Sequence, residues 1–246
     1  MRNLPAPELL IYSDREALSR AAAERFVEFG QDAAAARGVF AVALSGGSTP
    51  RQTYEKLASD EFRSRVDWRR AHFFWGDERA VPPDHPQSNY RMAYEALLSR
   101  VPVPQSNIHR ILAEKTPEVA ASEYEQTLRD FWGNTLPRFD LVLLGLGTNG
   151  HTASLFPYTS VLRERTRWCA AVWVPELDAS RITLTAPVLN HAANVSFVVA
   201  SRDKAAILRE VLRGAFDPER LPAQYIRPDE GKLLWLVDEA AASGLK

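Results

Sequence analysis

The chain has 246 residues, a mass of 27.6 kDa and a near-balanced charge, with 30 Lys and Arg against 31 Asp and Glu. A net charge of −1 argues against nucleic-acid or anionic-membrane partners, which require a basic excess. With 46% hydrophobic and 25% charged residues, compositional disorder is excluded, and a chain of this length buries a core without disulfides or a structural metal.

Met1–Glu8 lacks the apolar run of a signal peptide. Short β-branched runs then alternate with helical patterns, which predicts a doubly wound, mostly parallel sheet covered on both faces. The first strand is Leu9–Tyr12. Ser13 with Glu16 reads as a capping box opening a long helix that stops at Gly38. Strands follow at Val39–Leu44 and His72–Trp75, then the proline-rich insertion Val81–Gln87. Thr116-Pro117 predicts a capped helix start, with the helix reaching about Trp132. The remaining strands are Leu141–Gly145, Ala170–Val174, Ile182–Leu184, Val195–Ala200 and Leu233–Val237. Ser201 reads as the cap of a helix over Arg202–Arg213 that ends at Gly214. No linker divides the chain, so residues 1–246 are expected to form one domain. The single cysteine, Cys169, rules out an intrachain disulfide and a cysteine-based zinc site, and it reads as a small core residue. Leu141–Leu162 and Ile182–Ser201 approach membrane length but are broken by Asn, His, Pro and hydroxyl residues. A soluble, cytoplasmic protein without cofactor or metal is expected, as a monomer or homodimer.

In such sheets ligands bind beyond the carboxyl ends of the strands, so the residues just after each strand carry the chemistry. After the second strand stands Ser45-Gly46-Gly47-Ser48-Thr49-Pro50. Two glycines admit a ligand to the backbone, and N–H groups with two hydroxyls at a helix start favour an anion such as phosphate. It is not a Walker A loop, because the only Gly-Lys pair, Gly231-Lys232, is followed by Leu233. It has no G-x-S-x-G nucleophile elbow either. A capped turn without ligand would look the same. After the third strand come Asp77, Glu78 and Arg79, then Ser88-Asn89-Tyr90. These would orient a polar substrate or form a solvated ion-pair cluster. After Leu141–Gly145 comes Leu146-Gly147-Thr148-Asn149-Gly150-His151-Thr152-Ala153-Ser154-Leu155-Phe156-Pro157. Its literal G-x-G-x-x-G is a weak dinucleotide signal, being mid-chain and without a ribose-binding acid after the next strand. His151 is expected to open a helix, whose N-terminus would keep the imidazole neutral and suited to act as a general base. Arg181 and Lys204 are two cations that, with the Ser45–Thr49 loop, would complete a phosphate site. His72, His85, His109 and His191 show no metal-ligand spacing.

Taken in order, Ala43–Pro50, Trp75–Arg79 with Ser88–Met92, Gly145–Pro157, Arg181–Thr185 and Ala200–Lys204 resemble the 6-phosphogluconolactonase family. The likeness runs from about residue 10 to 240. Gly-His-Thr-Ala-Ser-Leu-Phe-Pro is its most specific piece, while the Ser-Gly-Gly-Ser-Thr-Pro loop is shared with glucosamine-6-phosphate deaminases. The resemblance implies a Rossmann-like three-layer α/β/α fold. It implies hydrolysis of 6-phosphogluconolactone to 6-phosphogluconate in the pentose phosphate pathway, with no cofactor. By the same resemblance His151 is the base that activates water, with Asp77 and Arg79 at the sugar end. Arg181 and Lys204 are phosphate ligands, assisted by Ser45, Gly46, Gly47, Ser48 and Thr49, and Asn89, Asn149 and Thr152 are further substrate-binding candidates. The chain departs from the family at Asn149, where relatives usually carry an acid. An asparagine orients a ring nitrogen by hydrogen bond but carries no charge for an imidazolium. Two alternatives stay open. One is an amino-sugar-phosphate isomerase or deaminase, which needs carboxylates for proton shuttling. The other is a non-catalytic sugar-phosphate sensor, which would need no base.

Overall fold

A computed structural model describes residues 7–245. Its frame is a six-stranded parallel sheet built from β1 (Glu8–Tyr12), β2 (Phe40–Leu44), β3 (Ala71–Trp75), β5 (Leu141–Leu144), β8 (Asn194–Val199) and β9 (Lys232–Asp238), in the order β1-β9-β8-β5-β2-β3. A second, three-stranded antiparallel sheet orders β4 (Asp77–Arg79), β7 (Ala179–Leu184) and β6 (Cys169–Val174) as β4-β7-β6. The eight expected strands are all present within three residues at each end. The differences lie in their assembly. Ala170–Val174 and Ile182–Leu184 pair with each other, not with the parallel sheet, and β4 is a ninth strand made of charged residues. Gly76 links β3 directly to β4, and its carbonyl accepts the Leu184 N–H at 2.8 Å, so the small sheet hangs from the end of the large one.

The central strands read as unbroken apolar runs because both faces are covered. Every residue of β2 and β5 is buried. The helices are α1 (Arg15–Arg37), α2 (Ser48–Leu57), α3 (Asn89–Ala96), α4 (Pro117–Trp132), α5 (Ala186–Asn190), α6 (Ala205–Arg213) and α7 (Glu239–Ala242). α1 packs Phe26 edge-on to Phe40 of β2, ring centroids 5.1 Å apart. Its cap is Asp14, one residue after the expected Ser13. The Asp14 carboxylate accepts the Ala17 N–H at 2.8 Å, while the Ser13 hydroxyl donates to Asp14. Asp14 carries the stronger acceptor at a position where the backbone is extended. Gly38 ends the helix in the left-handed region, φ +76°, as expected. Thr116 precedes α4 without a side-chain cap, and Pro117 takes the first turn. Cys169 is buried, which pushes its thiol pKa up.

The order of connections locates the site. From β2 the chain steps outward to β3, then returns to the other side of β2 at β5. The crossover direction therefore reverses between β2 and β5, and a crevice opens at their carboxyl ends. No helix among the described residues is long and apolar enough to cross a membrane.

Candidate active site

A cavity of about 360 Å³ occupies that crevice. Ser45, Gly46, Gly47, Asp77, Arg79, Asn89, Thr152, His151, Arg181 and Lys204 all line it, so ten of the thirteen expected site residues meet there. Ser48 and Thr49 line an adjoining hollow of about 170 Å³ that also touches Lys204. Asn149 is not among the residues lining the cavity and stands against the imidazole, its Oδ1 facing His151 Nδ1.

The loop after β2 is held by a residue that no motif singled out. Tyr54 of α2 accepts the Ser45 N–H at 3.0 Å and donates to the Ser45 carbonyl at 2.9 Å. The Ser45 N–H is thus spent within the protein. Its hydroxyl is buried and unpartnered among the described residues. The free donors are one step on: Gly47 caps α2 with φ +106°, and the N–H groups of Ser48 and Thr49 stand in its first turn, where no intrahelical acceptor exists. Gly46 is obligatory for another reason, because a Cβ there would overlap the Asn89 amide.

Strand alternation separates the three charges of β4. Glu78 points away from the cavity. Its carboxylate accepts the N–H groups of Asn89 and Tyr90 at 2.7 Å each, that of Arg79 at 2.8 Å, and the Ser88 hydroxyl at 3.1 Å. It thereby caps the start of α3, and burial raises its pKa against the effect of those bonds. Asp77 and Arg79 take the opposite face. Asp77 accepts from the Ser154 hydroxyl at 2.7 Å and from Asn89 Nδ2 at 3.3 Å. Burial raises its pKa, while Arg79, the Ser154 bond and Arg181 work the other way.

Arg79 and Arg181 stand directly opposite each other across β4 and β7. Like charges in that relation repel. Neither forms a salt bridge among the described residues; Arg79 donates to the Gln87 carbonyl at 2.6 Å and Arg181 to that of Ser180 at 3.0 Å. Burial, then the neighbouring Arg79, lowers the Arg181 pKa. Lys204 approaches from beyond β8, its Nζ 3.5 Å from Asp203. It sits in a short 3-10 turn ahead of α6, and Ser201 is not the expected side-chain cap. The Ser201 hydroxyl turns to Asp203 at 2.6 Å instead. The Ser201 backbone is left-handed, φ +90°, and its N–H is held by the buried Asp238 at the end of β9.

His151 lies in a run of turns; the expected helix after it does not form. Thr152 and Leu155 pair across a bridge, and the Thr152 hydroxyl is committed to the Gly145 carbonyl at 2.8 Å, closing the loop. The imidazole stacks on Phe156 at 4.1 Å between centroids, and a Cβ at Gly147 would overlap it. Nδ1 is 2.6 Å from Asn149 Oδ1, and Nε2 has no partner among the described residues. The ring's pKa falls from 6.5 to about 4. Burial is the main cause, followed by the charges of Lys204, Arg181 and Arg79. The imidazole is neutral at pH 7 as expected, but through burial and cationic neighbours and not through a helix dipole.

The comparisons with known proteins agree in direction. The family described as glucosamine-6-phosphate isomerases/6-phosphogluconolactonase matches residues 13–235. A 6-phosphogluconolactonase of Nostoc sp. is 44% identical over 214 residues, covering 85% of this chain and 86% of its own. One from Synechocystis sp. is 44% identical over 219 residues, covering 87% and 88%. The structure of 6-phosphogluconolactonase from Trypanosoma brucei superposes with a TM-score of 0.84 at 27% identity, covering 98% of this chain and 99% of that one. On the extent of that match and on relatives this similar along most of their length, the chain belongs to the glucosamine-6-phosphate isomerase/6-phosphogluconolactonase family.

Proposed function

We propose that this chain hydrolyses 6-phospho-D-glucono-1,5-lactone to 6-phospho-D-gluconate, the lactonase step of the oxidative pentose phosphate pathway, with His151 activating the attacking water. The observation that carries this reading is one neutral imidazole with a free Nε2 in a cavity flanked by three cations. The curated relatives bear the same activity in their names.

Lys204, Arg181 and the N–H groups of Ser48 and Thr49 hold the substrate phosphate, far from the reacting carbon. This grip supplies orientation. Water lies between His151 Nε2 and C1. As its oxygen bonds to C1, one proton passes to Nε2 and the carbonyl pair moves onto oxygen. Arg79 faces that oxyanion, while Asp77 offsets part of the charge on both arginines. When the tetrahedral species collapses, the C1–ring oxygen bond breaks and Nε2–H returns its proton to the ring oxygen. The histidine ends neutral and the product is the open-chain acid. A positioned base supplies typically 10²–10⁴-fold in such a step, and an oxyanion donor a similar factor.

The test is hydrolysis of freshly generated lactone with the spontaneous rate subtracted, beside deamination of glucosamine 6-phosphate. Acceleration of the first reaction alone is expected. No acceleration over background, or turnover of the amino sugar in its place, would overturn the reading.

A further inference from the structure

We propose that Glu176, at the tip of the β6–β7 hairpin, is a positioning residue that fixes through Asn149 which nitrogen of His151 carries the proton. Asn149 Nδ2 donates to Glu176 Oε2 at 3.0 Å. Asn149 Oδ1 accepts the His151 backbone N–H at 3.2 Å and faces its Nδ1 at 2.6 Å. A carboxylate only accepts, and a backbone N–H only donates. The amide nitrogen must therefore face Glu176 and the amide oxygen must face the His151 loop. A flipped amide would set oxygen against carboxylate and N–H against N–H. With the oxygen held in place, Nδ1 has to be the protonated nitrogen, which leaves the Nε2 lone pair toward the cavity.

The hairpin is built to bring Glu176 there. Val174 pairs with Ala179, so residues 175–178 form the tip, a 3-10 turn over Pro175–Leu177 closed by Asp178 in the left-handed region at φ +45°. Leu177 lines the cavity beside His151, and Glu176 makes no other hydrogen bond or salt bridge among the described residues. An exposed contact of this kind adds little to stability, so its removal should act on the imidazole and leave the fold intact.

The kinetic consequence rests on the lactonase reading; the proton's position does not. The experiment is nitrogen NMR of the His151 ring in the full chain at pH 7, with steady-state kinetics alongside, for wild type, Glu176→Ala and Glu176→Gln. Wild type should show a single Nδ1–H tautomer. Glu176→Ala should give a tautomer mixture and kcat lower by about tenfold, the order expected for one charge-assisted hydrogen bond, with KM within about twofold. Glu176→Gln, whose amide oxygen accepts the same bond, should restore the tautomer and most of kcat. An unchanged ring signature in Glu176→Ala overturns the proposal whatever the rates do. A shifted tautomer in a protein that hydrolyses no lactone would keep the positioning role and sink the lactonase reading alone.

Discussion

On the proposed reading, replacing Lys204 by alanine should separate the phosphate grip from the chemistry. The lysine lines both the main cavity and the hollow of Ser48 and Thr49, and its only ionic contact among the described residues is Asp203, 3.5 Å away. Its side chain is 23% exposed, which keeps its charge partly shielded from water. A hydrogen bond to a charged group is worth about 1.5–3 kcal/mol, which converts to about 10- to 150-fold in affinity. Because solvent reaches Lys204 and Asp203 remains nearby, the lower part of that range applies. KM for the phosphorylated lactone should rise by about 10- to 30-fold. In the proposed binding mode the reacting carbon is remote from this contact, so kcat should stay within about threefold. The assay couples product formation to 6-phosphogluconate oxidation, with spontaneous hydrolysis subtracted. Unphosphorylated glucono-1,5-lactone serves as control: its kcat/KM should not move. A KM within twofold of wild type, or equal losses on both lactones, would remove Lys204 from the phosphate site.

The depressed basicity of His151 sets the pH profile. On the proposed mechanism the base works in its neutral form, so kcat/KM should be flat from pH 7 downward and fall only near pH 4, where the ring of the free enzyme protonates. Bound phosphate offsets the Lys204 and Arg181 charges that depress the ring, so the acid limb of kcat should lie at higher pH than that of kcat/KM. Acid release in a pH-stat reads both; a kcat/KM limb at 6.5 would contradict the depression. Gly147→Ala places a methyl group where the imidazole lies. It should cost kcat about 100-fold by displacing the ring, with KM less affected, and steady-state kinetics showing a wild-type kcat would mean that the ring is not confined there.

Much of this site is legible in one dimension because the parallel sheet sends every strand's carboxyl end to the same edge. The residues just past each strand therefore gather Ser45–Thr49, Asp77–Arg79, Gly145–His151 and Lys204 into one place without knowledge of the strand order. Other features escape for definable reasons. β4 is three charged residues long, too short and too polar for any periodic signal, and its pairing with β7 is a tertiary event. That pairing sets Arg79 against Arg181, which sequence spacing alone leaves as two separate contacts. A glycine-rich run before His151 with hydroxyl residues after it suggests a helix start, yet the chain turns on itself because Thr152 bonds back to Gly145 and not into a helical ladder. Tyr54, Asp238 and Glu176 act from a helix face, a strand end and a hairpin tip, at distances in sequence that carry no motif. Ser154 and Phe156 lie inside the Gly145–Pro157 block, but their roles against Asp77 and the imidazole need the folded loop.

The most direct measurement is the rate of 6-phosphoglucono-1,5-lactone hydrolysis by wild type and His151→Ala at pH 7, each corrected for the spontaneous reaction. Loss of at least about 100-fold in kcat with KM little changed is expected of a protein whose base is His151. Turnover that survives in the variant would move the base elsewhere, with Asp77 the next residue to change.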